Sequence, residues 1–159
     1  MGARRQDEAT ARRVLTTNIE SVLNTVFPVL PRMTARRGGQ IALLSLLAAY
    51  RGLPTAPAYS ASKAAVKALG DAWRLMLARD GIRVCVICPG FVTTRMTAAN
   101  KFPMPFLISA KRAAEIIARG LARDDGRIAF PWPTAALTWL AGCLRWRLSD
   151  ALTRRVARG

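Results

Sequence analysis

An α/β fold is what this chain of 159 residues predicts, on three observations. Apolar residues recur at helical spacing in some stretches and run together in others, so helix and strand alternate along the chain. Glycine and proline punctuate the alternation, as where Gly81 opens and Pro89-Gly90 closes the most apolar run. The length suits one domain, and 52% hydrophobic residues are enough to build its core.

The elements follow in order. Val14, Leu15, Ile19, Val22, Leu23 and Val26 lie at helical spacing within residues 8–36, where Pro28 and Pro31 bend or end the helix. Residues 40–47 read as an apolar strand, followed by the loop Arg51-Gly52-Leu53-Pro54. A helix is expected over residues 59–79, with Ala64, Ala65, Leu69, Leu75 and Met76 available for packing. Residues 82–88 form a buried strand, and residues 95–107, rich in proline and methionine, form a loop. Ser109 reads as the N-cap of a helix over residues 110–123, whose Ala113, Ile116, Ile117 and Leu121 share one face. Asp124-Asp125-Gly126 then turns the chain into a short strand, Arg127–Phe130.

Pro131-Trp132-Pro133 interrupts the alternation and divides residues 1–133 from a tail, residues 134–159. Residues 134–144 are almost wholly apolar, yet fall far short of the roughly 20 needed to cross a bilayer. Trp146 and its flanking arginines suit a weak membrane-surface anchor. The competing expectation is a packing helix that closes a pocket or meets a partner subunit.

Charge and composition narrow the chemistry. The net charge of +16 could attract nucleic acid or anionic lipid, but no DNA-binding motif and no aromatic–basic interleaving accompanies it. Nucleic acid is therefore not the expected partner. With no histidine, the commonest metal ligand and general base is missing. Three cysteines form no disulfide framework, as in a reducing compartment. Cys85 and Cys88 are a CxxC on a strand, where odd spacing sends them to opposite faces, so no metal site is expected. Residues 1–13 carry arginines without an apolar signal core, and a cytoplasmic location is the corresponding expectation.

The chemistry is concentrated in Tyr59-Ser60-Ala61-Ser62-Lys63. On a helix, a tyrosine and a lysine four residues on stack one turn apart. A phenol of ordinary pKa about 10 is a poor catalyst near neutrality. An ammonium about 4 Å away favours the phenolate by about 4 kcal/mol at an effective dielectric of about 20, before desolvation opposes it. The pair makes a proton donor and acceptor for alcohol–carbonyl chemistry.

Its surroundings extend the pattern: Thr17-Asn18-Ile19 upstream, the apolar run over residues 40–47 that contains Ser45, AYSASKAAV, and a strand closing in Pro89-Gly90-Phe91-Val92-Thr93-Thr94. This set resembles the short-chain dehydrogenase/reductase family from about Val14 to about Pro133. The resemblance implies a Rossmann-type three-layer fold, a parallel sheet flanked by helices. It implies hydride transfer between NAD or NADP and a small alcohol or carbonyl substrate, and a homo-oligomer paired through two long helices. Tyr59 then matches the family's acid/base, Lys63 the lysine that tunes it and holds the nicotinamide ribose, and Asn18 the asparagine that anchors a relay water. Pro89, Gly90, Val92 and Thr94 match the segment that packs on the nicotinamide, and residues 95–107 its substrate lid.

Two departures stand out. The family's catalytic serine lies thirteen residues before the tyrosine, where this chain has Leu46, which can donate no hydrogen bond to a developing oxyanion. Ser45 could substitute only if the strand end slipped by a residue, which turns a side chain to the other face. Nor does any TGxxxGxG or GxGxxG occur to cradle a pyrophosphate. The chain resembles the C-terminal part of a family member lacking its first four strands, a truncated version of the fold. In that case the strand over residues 40–47 has an unpaired edge. A non-catalytic remnant acting as a scaffold is the alternative function.

Overall fold

The computed structural model describes residues 7–98 and 104–143. Helices α1 (Glu8–Val26), α2 (Leu30–Ala35), α3 (Pro57–Leu77), α4 (Arg95–Ala98), α5 (Ala110–Ala122) and α6 (Trp132–Cys143) alternate with strands β1 (Gly39–Leu44), β2 (Ile82–Pro89) and β3 (Arg127–Phe130). The strands form one parallel sheet in the order β1-β2-β3. It is a small α/β domain with helices on both faces, as expected.

Alternation along β2 divides the core. Ile82 and Val84 face one side, where they pack with Ile41 and Leu43 of β1, Val26 of α1 and Val66, Trp73 and Leu77 of α3. Cys85 and Ile87 face the other, against Ala113 of α5 and Ile128 and Phe130 of β3. A third cluster joins Cys88 and Val86 to Leu47, with Tyr50 and Ala135 alongside. Cys85 and Cys88 thus occupy different layers, and among the described residues no group of three His, Cys, Asp or Glu could hold a metal. The outer edge of β1 pairs with no strand among the described residues.

Local chemistry explains the boundaries. Asp7 caps α1 by accepting from the Thr10 amide at 2.8 Å, and Ser109 caps α5 by accepting from the Arg112 amide at 3.2 Å. Of the two outcomes expected at Pro28 and Pro31, the helix ends: α1 stops near Phe27, and Pro31 opens α2, where a missing N–H costs nothing. The strand expected over residues 40–47 stops at Leu44, because the chain enters a 3-10 turn over Leu47–Ala49. The long helix begins two residues before Tyr59, at Pro57. Gly81 turns the chain from α3 into β2 at φ 70°, where a Cβ would strike the Arg37 carbonyl. The Pro131-Trp132-Pro133 segment leads directly into α6, since prolines are tolerated in a first helical turn. Trp146 and the other tail residues from 144 on lie outside the described residues.

Candidate active site

The carboxyl ends of β1 and β2 and the amino end of α3 converge, and the pattern residues sit there. Pro57 starts α3, so Tyr59 and Lys63 fall on its first two turns, both half-buried. The Lys63 ammonium stands 5.7 Å from the centre of the Tyr59 ring. The expected one-turn stacking is present.

The electrostatics differ from the sequence expectation. Lys63 Nζ donates to the Leu44 carbonyl at 2.9 Å instead of serving the phenol alone. Burial raises Tyr59 above its ordinary 10.0 and lowers Lys63 below 10.5. In this arrangement desolvation prevails over the ammonium's pull, and the phenol keeps its proton at neutral pH.

Ser45 does not move into the position that Leu46 vacates. The β1–β2 register runs unbroken through Leu44 opposite Ile87, and the Ser45 amide continues it by donating to the Ile87 carbonyl at 2.8 Å. Its side chain, only 2% exposed, donates to the Lys63 carbonyl at 2.7 Å. Its single hydroxyl proton is directed at the Lys63 carbonyl in this structure. The one-residue slip that the Ser45 substitution needs is not seen, and in this arrangement the residue braces β1 against α3. Leu46, extended at φ −162°, leads into the 3-10 turn.

Asn18 lies in the middle of α1. Its Nδ2 donates to Ser62 Oγ at 2.9 Å, and Ser62 donates to the Tyr59 carbonyl at 2.7 Å. Asn18 is therefore brought to the Tyr59 turn through Ser62, a link invisible in sequence because its ends are 44 residues apart.

Pro89 ends β2, and the Gly90 amide donates to the Phe130 carbonyl at 2.7 Å. Val92 bridges to Ile108 across the segment expected to form a lid. The Thr94 hydroxyl accepts from the Thr97 amide at 3.2 Å, while Thr97 Oγ1 donates to the Val92 carbonyl at 2.7 Å. Thr94 thus caps the short α4. The centre of that segment, residues 99–103, lies outside the described residues.

Two further features escaped the sequence. Asp71 of α3 bridges Lys67 at 2.8 Å and Arg127 of β3 at 2.7 Å, and both cations lie over the Tyr50 ring, at 5.2 and 5.9 Å. An apolar depression of about 460 Å³ runs beside α3 along Ser60, Ala61 and Ala64 to Leu53 and Pro54. Neither Tyr59 nor Lys63 lines it.

Residues 2–103 match the short chain dehydrogenase family. The chain belongs to this family. An uncharacterized oxidoreductase of Myxococcus xanthus is 41% identical over 145 residues, which are 91% of this chain and 57% of that protein. An uncharacterized oxidoreductase of Mycobacterium tuberculosis is 34% identical over 148 residues, 92% of this chain and 56% of the relative. The chain therefore spans little more than half the length of these relatives. In three dimensions it resembles a short chain dehydrogenase from Burkholderia cenocepacia J2315 in complex with NADP. The TM-score is 0.80 at 24% identity, covering 95% of this chain and 62% of that one, and the likeness is one of fold.

Proposed function

We propose that this short-chain dehydrogenase family member is an oxidoreductase moving a hydride between NAD or NADP and an alcohol or carbonyl substrate, with Tyr59 as the acid and base. The observation that carries the proposal is the half-buried Tyr59–Lys63 pair, one turn apart where the parallel strands end, with the ammonium 5.7 Å from the ring. Open α/β sheets place their ligands at that end of the strands.

The residues suit one half of a dinucleotide. Lys63 spends one N–H on Leu44 and keeps two for ribose oxygens. The backbone from Pro89 to Thr94 borders the same end of the sheet. No glycine-rich turn in the sequence suits the pyrophosphate. When bound, the nicotinamide supplies or receives the hydride. Tyr59 gives its proton to the carbonyl oxygen in reduction and takes it from the alcohol in oxidation. Lys63 orients the ribose and eases the loss of the phenolic proton. Asn18 steadies the Tyr59 turn through Ser62 and orders the water that resupplies the proton. Thr94 shapes the loop against the carboxamide by capping α4.

A second copy is the proposed partner, met through the solvent faces of α1 and α3, where Leu75 and Met76 stand exposed. Among the described residues the cysteines are unpaired, in keeping with a cytoplasmic setting. No helix there is long and apolar enough to cross a membrane.

Leu46 at the serine position favours a second reading, a non-catalytic scaffold. Assaying the purified chain for NADH and NADPH consumption against a panel of aldehydes and ketones separates the two. Hydride transfer requires turnover that Tyr59→Phe lowers by about 100-fold or more. Absence of turnover in both proteins, with no cofactor bound in a fluorescence titration, would leave the scaffold.

A further inference from the structure

We propose that the outer face of α6 is a membrane-surface contact that seats the protein on an anionic lipid bilayer. Trp132, Ala136, Trp139 and Leu140 recur at helical spacing along one side of α6, with Leu137 at its margin. Trp132 is 78% exposed and Trp139 55%, with Leu137 and Leu140 about half exposed. The opposite side holds the helix to the body: Ala135 packs against the cluster of Leu47, Val86 and Cys88, and Ala141 is buried. A helix lying on a water-facing surface is normally polar on its outer side. Here residues 132–143 contain no charged side chain at all.

The charge of the flanking sequence favours one occupant for this face. From Gly126 through Ser149 there is no acidic residue, while Arg145, Arg147, Arg154, Arg155 and Arg158 follow α6 in sequence. A second copy docking here would bring two such arginine sets together against their mutual repulsion. An anionic headgroup layer attracts them, and indoles favour the boundary between headgroups and hydrocarbon. At about 1.5 Å per residue the helix spans only about 18 Å, against a hydrocarbon core of about 30 Å. It lies along the surface with its tryptophan side down, as interfacial helices do.

The test sediments the full chain with vesicles of pure phosphatidylcholine and with vesicles in which part of that lipid is replaced by phosphatidylglycerol. Expected is at least about tenfold tighter binding to the anionic vesicles, weakening as salt is raised. The Trp132→Ser, Trp139→Ser double variant should lose about tenfold of that binding while keeping its circular dichroism spectrum. Equal binding by variant and parent would show that the arginines adhere without the helix and would overturn the proposal. So would a parent that dimerises without lipid while the double variant stays monomeric, since a second copy then owns the face. Should the double variant misfold, brominated lipid added to a Trp146→Phe chain decides: quenching of the exposed indoles is expected, and unquenched emission sinks the idea.

Discussion

The phenol of Tyr59 is governed by burial more than by its lysine. With its pKa above 10.0, Tyr59 is protonated through the neutral range, and under the proposed function it acts first as an acid. Carbonyl reduction should therefore hold a flat pH profile through neutrality and fall only in the alkaline range. Alcohol oxidation needs the phenolate and should climb with pH over the same span. Initial rates in both directions against pH check this, and an oxidation rate that levels off near neutrality would contradict it. The pair itself was legible in sequence because four-residue spacing on a helix is a local rule. What Lys63 and Ser45 bond to was not, since Leu44 and the Lys63 carbonyl meet them only once β1 and α3 are packed.

At the scale of elements, α3 is placed by its contacts with the sheet. Gly70 sits where α3 crosses β2: a Cβ there would drive into Val86 and come within 3.0 Å of Leu43 Cδ1. An alanine gains about 1 kcal/mol of helix propensity. Overpacking a well-filled core costs roughly 1–3 kcal/mol, so Gly70→Ala should lower stability on balance. Urea unfolding measures it, and a raised midpoint would show that the layers can part. Asp71 ties the same helix to β3. Burial alone would raise its carboxyl, but hydrogen bonds from Lys67 and Arg127 outweigh it and hold the group below 3.8. A depressed carboxylate stabilises the fold above its unfolded pKa and loses that contribution as pH falls through the folded one. Asp71→Asn should cost roughly 0.5–1 kcal/mol at neutral pH, the range for a partly exposed pair. The gap between variant and parent should close in acid, as thermal melts at two pH values would read. Alternation and caps made the elements readable to within a few residues. The Asp71–Arg127 bridge was not readable, because it spans 56 positions that only the parallel crossover brings together.

At the scale of the molecule, both outer edges of the sheet, on β1 and on β3, are open among the described residues. The β1 edge pairs with no strand among the described residues, and Leu44 on it is 54% exposed. Unpaired edges template association. The exposed Ala42 lies on the same strand, and Ala42→Lys should reduce concentration-dependent light scattering without lowering the melting temperature. Unchanged scattering would place association elsewhere. Alternation made β1 readable as a strand, but which of its edges pairs depends on contacts that local sequence does not carry. The exposed side of α6 was not readable either, since an almost wholly apolar run carries no signal of which side faces inward.

The bond from Lys63 to Leu44 has a thermodynamic consequence. A lysine stem is long and supple, with about 2 kcal/mol of rotamer entropy to lose. Here that freedom is surrendered when the chain folds, because the strand's last carbonyl already grips the ammonium. Under the proposed function, a ribose hydroxyl reaching Lys63 would meet a cation held still, and its affinity would be spared that loss.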